Sequence, residues 1–97
     1  MRYKIKRRPR QKIATFYQNV IRKYRHTYSV ELMHKNIDEA VNAMYQIEQS
    51  LLRRQATLKR WQEEGWHMAK AGKWFYAYTI HDDTVTIEDA CHSQNIH

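Results

Sequence analysis

Histidines, paired carboxylates and one cysteine are the side chains of this chain that could do chemistry, and their spacing decides which chemistry is open. Histidines stand at His26, His34, His67, His81, His92 and His97. Two groupings bring possible metal donors together in sequence: Cys91-His92 with His97, and His81 with Asp82-Asp83. Neither has the Cys-x-x-Cys or His-x-x-x-His spacing that aims two ligands at one ion, so no metal is expected. Glu63-Glu64 and Glu88-Asp89 are adjacent carboxylates. Neighbours on an extended segment point to opposite sides, so neither pair is expected to converge as a hydrolytic dyad. Cys91 has no Asn or Asp at a known catalytic spacing and reads as a small apolar core group. His92 remains, a group that titrates near neutral pH and suits acid–base work.

Charge points to the class of partner. Arg2, Lys4, Lys6, Arg7, Arg8, Arg10, Lys12, Arg22, Lys23 and Arg25 all precede the first acidic residue, Glu31, in a chain of formal net charge +7. A block this basic binds polyanions through counterion release, or docks onto an acidic protein, or simply forms a solvated face. Arg7, Arg8 and Arg10, with Arg60 farther along, are the candidate nucleic-acid-binding residues.

The elements that must position these groups follow from periodicity. Ninety-seven residues fit one domain, residues 1–97, with room for a single core. Arg2 to Lys6 alternates as a short strand would. Pro9 suits the first turn of a helix, whose apolar stripe is Ile13, Phe16, Tyr17, Val20, Ile21 and Tyr24. Thr27-Tyr28-Ser29 interrupts it, and a second helix starts from Ser29 or from Asn36, with Asn36-Ile37-Asp38-Glu39 as a possible cap. Ile37, Val41, Met44, Tyr45, Ile47, Leu51 and Leu52 form its buried side. Residues 53 to 64 extend that helix or connect irregularly, and Gly65 ends them.

Trp66 to Ala69 begins a sheet. Trp74, Tyr76, Tyr78 and Ile80 alternate with Phe75, Ala77 and Thr79, a period of two rich in strand-forming residues. His81-Asp82-Asp83 breaks the pattern as a hairpin turn, and Val85 and Ile87 resume it. The fold class expected is therefore α+β: two N-terminal helices on one face of a small antiparallel sheet, in the order strand-helix-helix-strand-strand-strand. The first strand joins at an edge or beside the centre, and the second face stays open. No apolar run approaches the length of a membrane span, and the basic N-terminal stretch lacks the apolar segment of a secretory signal. One cysteine suits a reducing compartment, so a cytoplasmic protein is expected.

In Trp66, Tyr78-Thr79-Ile80, the turn His81-Asp82-Asp83-Thr84, Val85-Thr86-Ile87 and the tail Ala90-Cys91-His92, the chain resembles the RelE/ParE toxin superfamily of type II toxin–antitoxin systems. The basic opening strand and helix also fit. The resemblance implies a toxin component neutralised by a cognate antitoxin, with no small-molecule cofactor. RelE-like members cleave mRNA on the ribosome, and ParE-like members poison DNA gyrase. Where the family carries an arginine three residues before its conserved tyrosine, this chain has Phe75. Lys70 and Lys73 are then the nearest cations to steady a phosphate, with His92 handling a proton, which is the endoribonuclease reading. A catalytically silent module that binds nucleic acid or a partner protein through its basic helix is the alternative.

Overall fold

Apolar side chains at three- and four-residue steps build two helices whose stripes meet above a twisted sheet. The computed structural model describes residues 2–47 and 56–95. Strand β1 (Arg2–Ile5) leads into α1 (Arg7–Lys23) and α2 (Val30–Tyr45); a short α3 (Lys59–Glu63) precedes β2 (His67–Ala71), β3 (Trp74–His81) and β4 (Thr84–His92), and a single 3-10 turn, Ser93–Asn95, follows. The sheet order is β1-β4-β3-β2. The last three strands form an antiparallel meander, and β1 runs parallel to β4 at the edge. The fold is thus α+β with a mixed, mainly antiparallel sheet.

Local chemistry explains the boundaries. Of the two possible starts for α2, Ser29 is the one used: its hydroxyl accepts the Leu32 N–H at 3.1 Å. Asn36 lies inside the helix, and its amide donates to the Tyr28 hydroxyl. Gly65, at φ +72°, closes α3. The Trp66 N–H reaches the Trp61 carbonyl and the Gly65 N–H the Gln62 carbonyl, both at 3.0 Å. That is the paired bonding of a Schellman end. At the β3–β4 turn Asp82 and Asp83 both have positive φ, 47° and 63°, as a two-residue type I′ hairpin requires.

The main core lies between α1, α2 and one sheet face, with Ile13, Met44, Tyr76, Tyr78, Val85 and Ile87 fully buried. The buried tyrosine hydroxyl of Tyr76 donates to the Ala40 carbonyl at 2.8 Å, so its polar end is satisfied. The other sheet face differs from expectation. Ala56, Leu58 and Trp61 cover Ala77 and Cys91 there, so that face is capped over this patch rather than left open. Trp61 is only 1% exposed, and this single large ring does much of the covering. The sheet also begins one residue later than expected, at His67, because Trp66 is used in closing α3. Leu51, Leu52, residues 53–55 of the ambiguous stretch, and His97 lie outside the described residues.

A bulge breaks the β3–β4 register between Ala77 and Tyr78. Tyr78 pairs with Ile87 while Ala77 pairs with Asp89, so Glu88 is the extra residue. Consequently Glu88 and Asp89 do not fall on opposite sides as neighbours on a regular strand would. Glu88 accepts from Thr79 and Asp89 stands across from Ala77; Thr79 and Ala77 are two apart on β3 and share a face. Each carboxylate is occupied separately, Glu88 by Lys6 at 2.6 Å and Asp89 by Lys12 at 2.7 Å. They do not act as a dyad.

Candidate functional site

β1 stops opposite Ile87, and the chain turns into α1 there, so the last residues of β4 keep β3 on one side and have no strand on the side where β1 ran. A cleft of about 570 Å³ lies along that edge, between α1 on one side and α3 on the other. Arg8 and Lys12 line it from α1, Arg60 from α3, and His92 from the end of β4. Arg8 and Lys12 are four residues apart, one helical turn, so they stand on the same side of α1. Lys12 is held from behind: its ammonium contacts Asp89 Oδ1, while Trp61 Nε1 donates to Asp89 Oδ2 at 2.9 Å. Asp89 is 3% exposed and offsets one of the three cations, leaving the cleft net positive.

A second cleft, of about 530 Å³, lies between α1, α2 and the β2–β3 turn. Tyr17, Tyr24, Tyr28 and Trp74 give it an aromatic lining, and Lys73 stands at the turn. Phe16, Trp74 and His92 line both clefts and so form the wall between them. These three rings interlock. Phe16 stacks on His92 at 4.2 Å between centroids with planes 12° apart, and Trp74 meets both edge-on.

This wall fixes the chemistry of His92. The side chain is buried, at 6% exposure, and burial lowers its pKa below the ordinary 6.5, with the Lys73 ammonium pushing the same way. The Gln94 N–H donates to Nδ1 at 3.2 Å. That nitrogen is therefore unprotonated, and Nε2 carries the proton of the neutral ring. An imidazolium would turn an Nδ1–H against the Gln94 N–H. His92 is thus set up to offer one N–H at neutral pH and is poorly placed to shuttle a proton. The tyrosine that supports the wall, Tyr17, has its pKa raised by burial, despite accepting the Trp74 indole N–H at 3.1 Å.

The sequence candidates separate into two groups. His92, Arg8 and Arg60 meet in the cationic cleft, and Lys73 joins His92 at the aromatic one. Lys70 is elsewhere. It pairs with Phe75, which pairs with Cys91, on the opposite sheet face from Trp74 and His92, and its ammonium lies 5.5 Å from the Phe75 ring centre. Arg10 donates to the Tyr45 hydroxyl on α2, and Arg7 opens α1 as an exposed residue outside both clefts. Two contributors escape a residue-by-residue search: Lys12, hidden in a uniformly basic run, and Phe16, which looks like ordinary stripe. The four-residue step from Arg8 to Lys12 to Phe16 is the signal that joins them.

Among the described residues no group of three His, Cys, Asp or Glu side chains could hold a metal ion. No helix among them is long and apolar enough to cross a membrane. The chain matches no protein-family model, no curated protein and no solved structure closely enough to indicate kinship.

Proposed function

We propose that this chain is a RelE/ParE-like toxin component of the cytoplasm that acts by gripping RNA in its cationic cleft. One observation carries the reading. Arg8 and Lys12 from α1 and Arg60 from α3 converge with the His92 ring at the end of β4, on the side that β1 leaves open. Guanidinium groups suit phosphate oxygens because they offer paired N–H donors, and a neutral His92 adds one more. The strand-helix-helix-strand-strand-strand order agrees with what the resemblance implies and so supports it. A cognate antitoxin would be its protein partner, and the ribosome or its mRNA the target.

Within this reading, the state of His92 favours binding over cleavage. Phosphodiester cleavage needs a group that takes a proton and a group that gives one. Here Nδ1 is engaged by Gln94, and Phe75 occupies the position where the family carries an arginine. The catalytically silent module is therefore the second reading, and it shares the same cleft.

Fluorescence polarisation with an unstructured RNA, repeated across salt concentrations, tests the shared part. Binding that weakens with salt in the native protein, and weakens further in Arg8→Ala and Arg60→Ala, is expected. Binding untouched by both substitutions would sink the reading. Inducible expression in a bacterial host, with growth and pulse-labelled protein synthesis followed together, separates the branches. Prompt arrest of translation supports the RNA-directed toxin. Growth arrest with translation initially intact indicates the gyrase-directed branch. Normal growth at confirmed soluble expression indicates the silent module.

A further inference from the structure

The aromatic cleft has features that phosphate gripping does not use. Its walls are two helix faces. Phe16, Tyr17 and Val20 come from α1 with Tyr24 at its C-cap, and Asn36, Glu39, Ala40 and Ala43 from α2 at spacings of three and four. Trp74 and Gly72 close its far end. Small side chains at Ala40 and Ala43 leave the space open, and Tyr24, half exposed at 50%, stands at its mouth. Glu39 is exposed at the rim, an acidic group on a strongly basic surface. A carboxylate there repels phosphate and accepts hydrogen bonds from N–H donors.

We infer that this cleft receives one nucleobase of the strand whose phosphates occupy the cationic cleft, and that Glu39 selects guanine; the inference rests on that RNA-binding reading. Three observations lead to it. The two clefts share one wall, made of Phe16, Trp74 and His92, so a ligand can reach from one to the other over a single layer of rings. The rings of Tyr24, half exposed, and Tyr28, partly exposed, are open to a flat π-system, with buried Trp74 behind them in the lining, and aromatic rings are how unpaired bases are held. The carboxylate supplies the specificity. Guanine presents two adjacent N–H donors on its pairing edge and can bridge both carboxylate oxygens. Cytosine and adenine present one amino group, and uracil one ring N–H. Lys73, at the same turn as Gly72, is placed for the phosphate that joins base to neighbour. An apolar side chain of a protein partner is the competing occupant, but it leaves Glu39 without a role.

The test uses the full chain and four uridine-rich RNA pentamers that differ only in the central base: G, A, C or U. The native protein is expected to bind the G pentamer about tenfold more tightly than the U pentamer. Glu39→Gln should erase most of that preference while keeping the weaker binding of the other three. Tyr24→Ala, at an exposed ring, should weaken all four by a similar factor through lost stacking. Equal affinity for the four pentamers overturns the base assignment, as does a guanine preference that survives Glu39→Gln. If Arg8→Ala weakens binding while both cleft substitutions leave it unchanged, the base assignment falls and the cationic cleft stands. If the native protein binds none of the pentamers, both readings fall together.

Discussion

Trp61 and Asp89 are joined by a buried hydrogen bond, indole Nε1 to carboxylate Oδ2 at 2.9 Å, that ties α3 to the central strand β4. The other carboxylate oxygen meets Lys12 of α1, and the Ala90 N–H donates to it as well. One buried side chain therefore links both walls of the cationic cleft to its floor. Asp89→Ala strips the Trp61 indole of its acceptor deep in the structure, which costs about 1–3 kcal/mol. Lys12 adds little to that cost, since its side chain is 41% exposed and water can take it back. Asp89→Asn keeps an acceptor for the indole and should lose about half as much. Urea denaturation followed by tryptophan fluorescence checks both. Equal stability of native protein and Asp89→Ala would show that the bond does not hold α3.

The arginines sort by where the fold puts them. Arg8 and Arg60 line the cationic cleft, whereas Arg10 is spent on the Tyr45 hydroxyl. Removing one phosphate contact to a single strand should flatten the salt dependence of RNA binding by about 0.7 in log–log slope. Arg8→Ala and Arg60→Ala should each show that loss, and Arg10→Ala should show a smaller one. The slopes come from titrations at several salt concentrations. A larger loss at Arg10 than at Arg8 would move the interface to the α2 side of the first helix.

What the sequence discloses depends on whether a feature is local. The α1 stripe from Ile13 to Val20, the strand alternation from Trp74 to Ile80 and the stop at Gly65 are written in neighbouring residues, and all three appear in the structure. Tyr24, expected to end the stripe, instead caps α1 and is half exposed. The placement of Glu88 and Asp89 is not written locally. Nothing in Val85-Thr86-Ile87-Glu88-Asp89 marks where the extra residue falls, because a bulge is a property of two strands in register. The covering of the second sheet face is hidden for a different reason. α3 has five residues, too few to show a helical period, and its contribution is one tryptophan. The site shares this division. His92 stands out by residue type, but its chemistry depends on Phe16 and Lys73, which only the folded chain brings to it, and on the turn that aims the nearby Gln94 N–H at its ring.

Gly65 offers a clean measure of backbone conformation. It sits at φ +72°, and a Cβ added there would meet no atom within 4 Å. Packing therefore raises no objection to a side chain, and only the left-handed backbone does. Gly65→Ala should cost about 1 kcal/mol, and Gly65→Asn less, since asparagine tolerates that region. Thermal or urea unfolding of the two variants gives the comparison. An Ala variant as stable as the native protein would mean the end of α3 relaxes to another conformation.

His92 sets a pH dependence whose sign is fixed. Its pKa in the fold lies below the ordinary 6.5, so between those two values the unfolded chain binds more protons than the folded one. Folding stability then rises with pH across that window. The contribution is complete above about pH 6.5 and is lost as pH falls through the lowered pKa. His92→Gln removes the titration, although it also loses the stacked ring against Phe16 and should be less stable at pH 7.5. The informative quantity is therefore the change in stability between pH 7.5 and pH 5.5, not either value alone. The native protein should lose more across that interval than His92→Gln does, measured by urea midpoints at each pH. RNA binding should move in the opposite sense if an imidazolium forms in the cleft, because its added positive charge attracts phosphate even though the new Nδ1–H faces Gln94. Stability that fell equally in both proteins would place the acid sensitivity on other groups and leave His92 at its ordinary pKa.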